Sequence, residues 1–252
     1  MKEEYVRFLH NGKPAWGQKL EHKLHLLSGA PWAEAKLTGE TVGASGVEWL
    51  IPAEPSKIIC VGLNYRDHAA EMGHALPEEP VLFLKPTSAA LDPGKSIHLP
   101  RSSDRVDYEA ELAMVVGKKV GPGRDDEDAI FGFTCANDVT ARDLQKKDGQ
   151  WSRAKGFDTF CPLGPSLVRG VDVSDVAVQC WVNGIQKQGS RTSQLIFGPQ
   201  QILNFVAEIM TLLPGDVILT GTPGGIGALK AGDEVEVRIE GIGSLTNIVI
   251  AP

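Results

Sequence analysis

The run from Tyr108 to Val116 constrains this chain more than any other segment, because it is apolar apart from Glu109 and Glu111. Leu112, Met114 and Val116 share one parity, while Glu109, Glu111, Ala113 and Val115 share the other. That period of two predicts a strand with distinct faces and both glutamates on the same side. At a rise of about 3.3 Å per residue their Cα atoms would lie roughly 7 Å apart. Two ionised carboxylates so placed on a partly buried face repel one another, so a positive group is expected between them. Asp138, in Ala136-Asn137-Asp138-Val139-Thr140, supplies a third carboxylate in an apolar setting. A lone Glu-x-Glu can equally be a solvated face paired with surface lysines, but Ala113 and Val115 continue this face as apolar. Thr140 and Asp143 match a capping box for a helix over Ala141 to Lys147, which leaves Asp138 free for other work. Three carboxylates in this arrangement point to a divalent cation.

Composition narrows the alternatives. A length of 252 residues permits a sizeable core, and a net charge of -7 without any dense Lys/Arg block argues against a nucleic-acid partner. No stretch approaches the roughly 18 continuous apolar residues of a membrane span, and the N-terminus lacks an apolar targeting segment. The expectation is a soluble cytoplasmic protein. Cys60, Cys135, Cys161 and Cys180 form no C-x-x-C pair, and no H-x-x-x-H or H-E-x-x-H pattern occurs. A zinc site is therefore not expected, and the cation should be oxygen-ligated.

The first fifty residues are more polar, with turn signals at Asn11-Gly12 and Ser28-Gly29, and the prolines Pro52 and Pro55 mark a loop. We divide the chain into a small N-terminal unit, 1–53, and a catalytic domain, 54–252. Strands are predicted over Lys57 to Leu63, Val81 to Leu84, Val176 to Val182, Asp216 to Thr220, Glu234 to Ile239 and Leu245 to Ile250, with a hairpin turn at Asn183-Gly184. The clearest helix is Pro199 to Leu213. Residues 104–107 and 121–128 read as charged loops. Strands outnumber helices and do not alternate regularly with them, which predicts an α+β fold that is mainly β.

Further chemistry clusters near these strands. If residues 67–72 form a helical turn, His68 and Glu71 are neighbours, and the carboxylate can orient the imidazole as a general base; a surface ion pair is the plainer alternative. Arg142 and Gln145 share a helix face just beyond Asp138. Lys155 sits in a less polar stretch than most lysines of the chain and could meet a substrate carboxylate or enolate. The loop Thr220-Gly221-Thr222-Pro223-Gly224-Gly225-Ile226-Gly227 lacks the lysine and following helix of a nucleotide site. A tight turn at a sheet rim, with Thr222 and free amides able to hold an anion, fits it better. No G-x-S-x-G elbow is present.

Taken together, Val61-Gly62-Leu63-Asn64-Tyr65 with His68 and Glu71, Phe83-Leu84-Lys85-Pro86, Tyr108-Glu109-Ala110-Glu111-Leu112, Asn137-Asp138-Val139-Thr140-Ala141-Arg142-Asp143, Ala154-Lys155-Gly156-Phe157-Asp158 and Leu219-Thr220-Gly221-Thr222-Pro223 resemble the fumarylacetoacetate hydrolase family. Their order and spacing span most of Lys57 to Ile250, and the first fifty residues look like the small N-terminal domain of many bacterial members. The resemblance implies a mixed β-sandwich roll, usually a homodimer, with Mg²⁺ or Mn²⁺ (Ca²⁺ as an alternative) on Glu109, Glu111 and Asp138. It further implies a catalytic His68–Glu71 dyad on a mobile lid, with Lys155, Lys85, Arg142, Gln145 and Thr222 lining the substrate site.

The chemistry agrees with that assignment. A hard cation with three carboxylate ligands retains open positions for the carboxylate and keto oxygens of a 2-oxo acid. The expectation is a metal-dependent hydrolase that cleaves a C–C bond in an acylpyruvate or related 2,4-dioxo acid through a metal-chelated enolate, with His68 activating water. The same enolate serves a 2-hydroxyhepta-2,4-diene-1,7-dioate isomerase, or a 5-carboxymethyl-2-hydroxymuconate or oxaloacetate-type decarboxylase or tautomerase. From another class, a non-catalytic ligand-binding paralogue is the alternative.

Overall fold

The computed structural model describes residues 2–73, 75–123 and 128–251. Residues 124–127 of the charged loop expected at 121–128 lie outside the described residues. The chain opens with β1 (Glu3–His10), β2 (Lys13–Leu20), β3 (Lys23–Leu27), β4 (Leu37–Gly43) and β5 (Trp49–Leu50). It continues through β6 (Ile58–Gly62), α1 (Arg66–Met72), β7 (Val81–Lys85), β8 (Ala90–Leu91), β9 (Ile97–His98), β10 (Val106–Tyr108) and β11 (Ala110–Val116). Next come β12 (Ile130–Asn137), β13 (Thr140–Ala141), α2 (Arg142–Asp148), α3 (Ser152–Lys155), β14 (Cys161–Arg169), β15 (Ala177–Val182) and β16 (Ile185–Arg191). The last elements are α4 (Pro199–Ile209), β17 (Val217–Leu219), β18 (Gly227–Ala228), β19 (Glu234–Ile239) and β20 (Gly243–Ile250). Strands dominate and helices are few, so the fold is α+β and mainly β.

One twelve-stranded sheet has the order β4-β3-β2-β1-β14-β12-β11-β17-β6-β7, with β5 beside β1 and β8 beside β14. A five-stranded sheet, β16-β15-β19-β20-β9, packs against it, and a short sheet, β13-β10-β18, closes one end. Between the two larger sheets, Leu112, Cys135 and Val168 meet Val178, Val237 and Leu245. On another part of the large sheet α4 seats Ile202, Leu203 and Val206 against Met114, Val116 and Ile218. Val6, Phe8, Leu24 and Leu26 form a separate small core in the first fifty residues. Yet β1 is hydrogen-bonded to β14, with Tyr5 opposite Leu167, so the two units share one sheet.

Three local expectations are corrected by tertiary contacts. The run from Tyr108 to Val116 is two strands in different sheets, with Glu109 between them. Side chains mark the break: the amide of Glu109 donates to Asn137 Oδ1 (2.9 Å), which takes it out of a strand ladder, and that of Ala110, which opens β11 opposite Asn137, donates to Gln188 Oε1 (2.9 Å). Every residue of β11 is buried, so it has no solvated face. The Thr140–Asp143 capping box does not form. Thr140 Oγ1 donates to the carbonyl of Asp138 (2.8 Å), and Asp143 accepts from Ser103 Oγ (2.5 Å) and the Asp104 amide (3.1 Å). Finally, α4 stops at Ile209, short of Leu213, because Leu212 exchanges backbone hydrogen bonds with Val120 (2.7 and 3.1 Å).

Candidate active site

The gaps between short strands position the carboxylates. Glu109 occupies the gap between β10 and β11, Glu111 is the second residue of β11, and Asp138 sits between β12 and β13. All three are buried, and each offers an oxygen within 4.8 Å of the other two. The backbone couples them, since the Asp138 amide donates to the Glu109 carbonyl (2.9 Å).

Cations surround this triad unevenly. Lys155, at the end of α3, is buried and bridges Glu109 Oε2 (2.8 Å) and Asp138 Oδ2 (2.6 Å). Lys85, at the end of β7, donates to Asp138 Oδ1 and to the Val139 carbonyl (3.0 Å). Arg142, at the start of α2, spends all three nitrogens on the protein itself: Nη2 on Glu109, Nε on Asp107 (3.0 Å) and Nη1 on Gln145 (2.6 Å). Glu111 forms no ion pair among the described residues; its Oε2 accepts from the Gly221 amide (2.6 Å).

The proton affinities follow from that imbalance. Burial alone would raise Glu109, but Lys155 and Arg142 outweigh it and hold the carboxyl down to about 2. Burial, Asp138 and Glu109 together push Glu111 well above the usual carboxylate range. Burial works against the Lys155 ammonium, yet Asp138 and Glu109 reverse the effect and raise its pKa. One carboxylate short of a cation, in an all-oxygen donor set, fits a hard divalent ion.

A cavity of about 490 Å³ reaches the triad and is lined by His68, Phe83, Trp151, Lys155 and Thr222, among others. A second cavity of about 560 Å³ shares Val81, Phe83 and Trp151 with it but has no titratable lining residue, so it is set aside as the chemical centre. Trp151 stacks edge-on against Phe83 with centroids 5.1 Å apart, and the Lys155 ammonium lies 4.9 Å from the Phe83 centroid. Gly62 makes room for that wall, because a Cβ there would lie 2.8 Å from the Trp151 ring.

The remaining singled-out residues divide into those on the cavity wall and those off it. His68 lines the cavity from α1; its Nδ1 is 3.5 Å from Glu71 Oε2 and makes no hydrogen bond among the described residues. Glu71 is half exposed and instead accepts from the Gly225 amide (3.0 Å). Lys85 is buried behind Asp138 and is not a wall residue. Arg142, Gln145 and Thr222 do reach the wall, but Thr222 Oγ1 is engaged by the Ala110 carbonyl (2.9 Å) and Gln188 Nε2 (2.9 Å). The glycine loop gives its amides to the chain's own carboxylates, Glu111 and Glu71. At Gly221, with φ +101°, a Cβ would fall 2.8 Å from that of Asn64, so no larger residue fits.

Gln188 and Trp151 are site residues that the sequence does not single out. Asp107, expected in the charged loop 104–107, is instead fully buried in β10, where it anchors Arg142. Gln188 lies 78 residues from Ala110, and no local pattern reveals that bond.

Comparison with known proteins matches residues 57–250 to the fumarylacetoacetate (FAA) hydrolase C-terminal family and residues 4–52 to the Rv2993c-like N-terminal family. Oxaloacetate tautomerase fahd2, mitochondrial, of Xenopus laevis is 45% identical over 222 residues, covering 82% of this chain and 69% of that protein. The structure of 2-hydroxyhepta-2,4-diene-1,7-dioate isomerase from Mycobacterium marinum superposes with a TM-score of 0.90 at 40% identity, covering 99% of this chain and 98% of that one. The 5-carboxymethyl-2-hydroxymuconate delta-isomerase from Mycobacterium smegmatis gives 0.90 at 42% identity, with both chains fully covered. With the C-terminal family match running nearly from the 52–55 proline loop to the last strand, the chain belongs to the fumarylacetoacetate hydrolase family.

Proposed function

We propose that this chain is a divalent-metal-dependent enzyme that moves a proton at the carbon beside the keto group of a 2-oxo acid, interconverting keto and enol forms or shifting a double bond. The carrying observation is the buried Glu109, Glu111 and Asp138 triad, with Lys155 bridging two of its members at the inner end of a cavity that His68 also lines. Mg²⁺ or Mn²⁺ held by those three carboxylates would polarise the keto group and offset the charge of an enolate. Lys155 stays protonated and adds a fixed positive charge beside the developing oxyanion. His68 is the base that removes the carbon-bound proton and returns it. Phe83 and Trp151 keep water away from the lysine side of the site.

Proton transfer needs one base, whereas hydrolysis needs a water that is both oriented and deprotonated. Glu71 is engaged by Gly225 and makes no hydrogen bond to His68, which favours the simpler reaction. The tautomerase and isomerases to which the chain is similar support the same choice. Hydrolysis of an acylpyruvate is the second reading, favoured by the 3.5 Å between His68 Nδ1 and Glu71 Oε2, a gap that a side-chain rotation closes. Decarboxylation of oxaloacetate would use the same enolate. The reading includes a homodimer, supported by exposed Val81 and Leu84 on the outermost strand β7, and sedimentation velocity tests it.

The deciding assay supplies the protein and Mg²⁺ with the enol form of oxaloacetate, followed by ultraviolet absorbance, and in parallel with acetylpyruvate, followed by acetate release. Accelerated enol decay that disappears in Glu109→Ala is the expected result. Acetate release without enol decay moves the assignment to hydrolysis. No Mg²⁺-dependent change in either substrate overturns both readings.

A further inference from the structure

We propose that the edge strand β16 registers the two halves of this site against each other: Ser190 is the positioning residue of His68, and Gln188, two residues earlier, is that of the Glu109 and Glu111 pair. This rests on the reading of His68 as the base and of the triad as the metal site.

His68 depends on an external brace. Its Nδ1 makes no hydrogen bond among the described residues, so the ring is placed by the seating of α1. A helix of seven residues does not hold its place unaided. Among the described residues, α1 is hydrogen-bonded to the rest of the protein at three points. Arg66 Nη1 donates to the Leu195 carbonyl (2.5 Å), Ser190 Oγ to Asp67 Oδ2, and the Gly225 amide to Glu71 Oε2 (3.0 Å). The second leads directly to His68, because the other oxygen of Asp67 accepts from the His68 amide (2.7 Å). Ser190, Asp67 and the His68 backbone therefore form one chain of hydrogen bonds.

Gln188 braces the metal half. Its buried side chain accepts on Oε1 from the Ala110 amide (2.9 Å) and donates from Nε2 to Thr222 Oγ1 (2.9 Å) and the Pro223 carbonyl (2.9 Å). Thr222 Oγ1 in turn donates to the Ala110 carbonyl (2.9 Å). Ala110 is thus held at both its amide and its carbonyl, which fixes the backbone between the two glutamates. Gln188 and Ser190 turn inward on β16 while Gly189 and Arg191 are exposed, and their Cα atoms are roughly 7 Å apart by strand geometry. The pairing with β15 passes from Gln186 to Gln188, so a bulge at Lys187 sets which residues of β16 face the site.

Steady-state kinetics on whichever of enol-oxaloacetate and acetylpyruvate the wild type turns over, with Mg²⁺ affinity measured separately by calorimetry, tests this. Ser190→Ala should lower kcat and kcat/KM equally, by about tenfold, at unchanged Mg²⁺ Kd, and Ser190→Thr should restore both. Added to Asp67→Ala, Ser190→Ala should cost nothing further, since the hydroxyl acts through that carboxylate. Gln188→Met should show the opposite split, weakening Mg²⁺ binding by about tenfold; should it fail to fold, the half-buried Ser190 decides alone. An unchanged kcat in Ser190→Ala, a loss accompanied by weaker Mg²⁺ binding, or additive losses with Asp67→Ala overturns the registration while the metal-dependent reading stands. Wild type that turns over neither substrate overturns that reading and the assignment of Ser190 with it.

Discussion

Two buried carboxylate centres in this protein solve the same electrostatic problem in opposite ways. Asp216, just before β17, is saturated: it accepts from Ser56 N, Ser56 Oγ and Lys57 N on Oδ1, and from Lys57 Nζ (2.5 Å) and Leu213 N (2.8 Å) on Oδ2. Burial would raise its pKa, but Lys57, the Leu213 amide and Ser56 hold it below the ordinary carboxylate range. In the triad, Glu109 and Asp138 each draw cations while Glu111 draws none among the described residues, and Glu111 is pushed upward. A carboxylate surrounded by donors is a structural knot. One left short of positive charge is poised to receive an ion.

The sharpest way to separate the two centres is to neutralise each. Glu111→Gln should lower Mg²⁺-dependent turnover by about 10²–10³-fold while leaving the metal-free unfolding midpoint unchanged or higher, since it removes an unpaired charge. An unchanged turnover would dissolve the contrast. Asp216→Ala should do the reverse, lowering stability by about 3 kcal/mol in a urea titration with turnover per folded molecule retained. Mg²⁺ at about a hundred times its Kd should stabilise wild type by about 2.7 kcal/mol, do the same for Asp216→Ala, and leave Glu111→Gln unaffected in a thermal melt. The smallest effect concerns pH. Because the folded pKa of Asp216 is depressed, its stabilisation is present above the unfolded carboxylate pKa and is lost as pH falls through the folded value. Asp216→Asn should therefore flatten the acid limb of the stability curve, and an identical slope in both proteins would show that Asp216 is not a source of it.

The ingredients of the triad were legible because each carries a local signature: two glutamates inside an apolar run, and an aspartate flanked by Asn137 and Val139. The mainly β fold was legible from strand patterns at Glu234–Ile239 and Ala177–Val182, where alternation and an Asn-Gly turn survive in the structure. What was not legible depends on partners remote in the chain. Gln188 and Asn137 mark the strand break at Glu109, Val120 ends α4, and Asp107 with Glu109 occupies Arg142. Lys85 illustrates the same limit: the family resemblance implies a place lining the substrate site, while its side chain lies behind Asp138, where it braces the carboxylate.

The pairing of β1 with β14 has a consequence for the edge of the large sheet. Val6, Tyr5, Glu4 and Glu3 stand opposite Ser166, Leu167, Val168 and Arg169. Without them the outer flank of β14 would offer a row of unsatisfied amides and carbonyls to any passing strand. The first fifty residues therefore cover that flank and move the edge of the large sheet out to β4, a largely exposed strand. A chain beginning at Ser56 would keep every residue of the triad and open the flank of β14 to pairing with other strands.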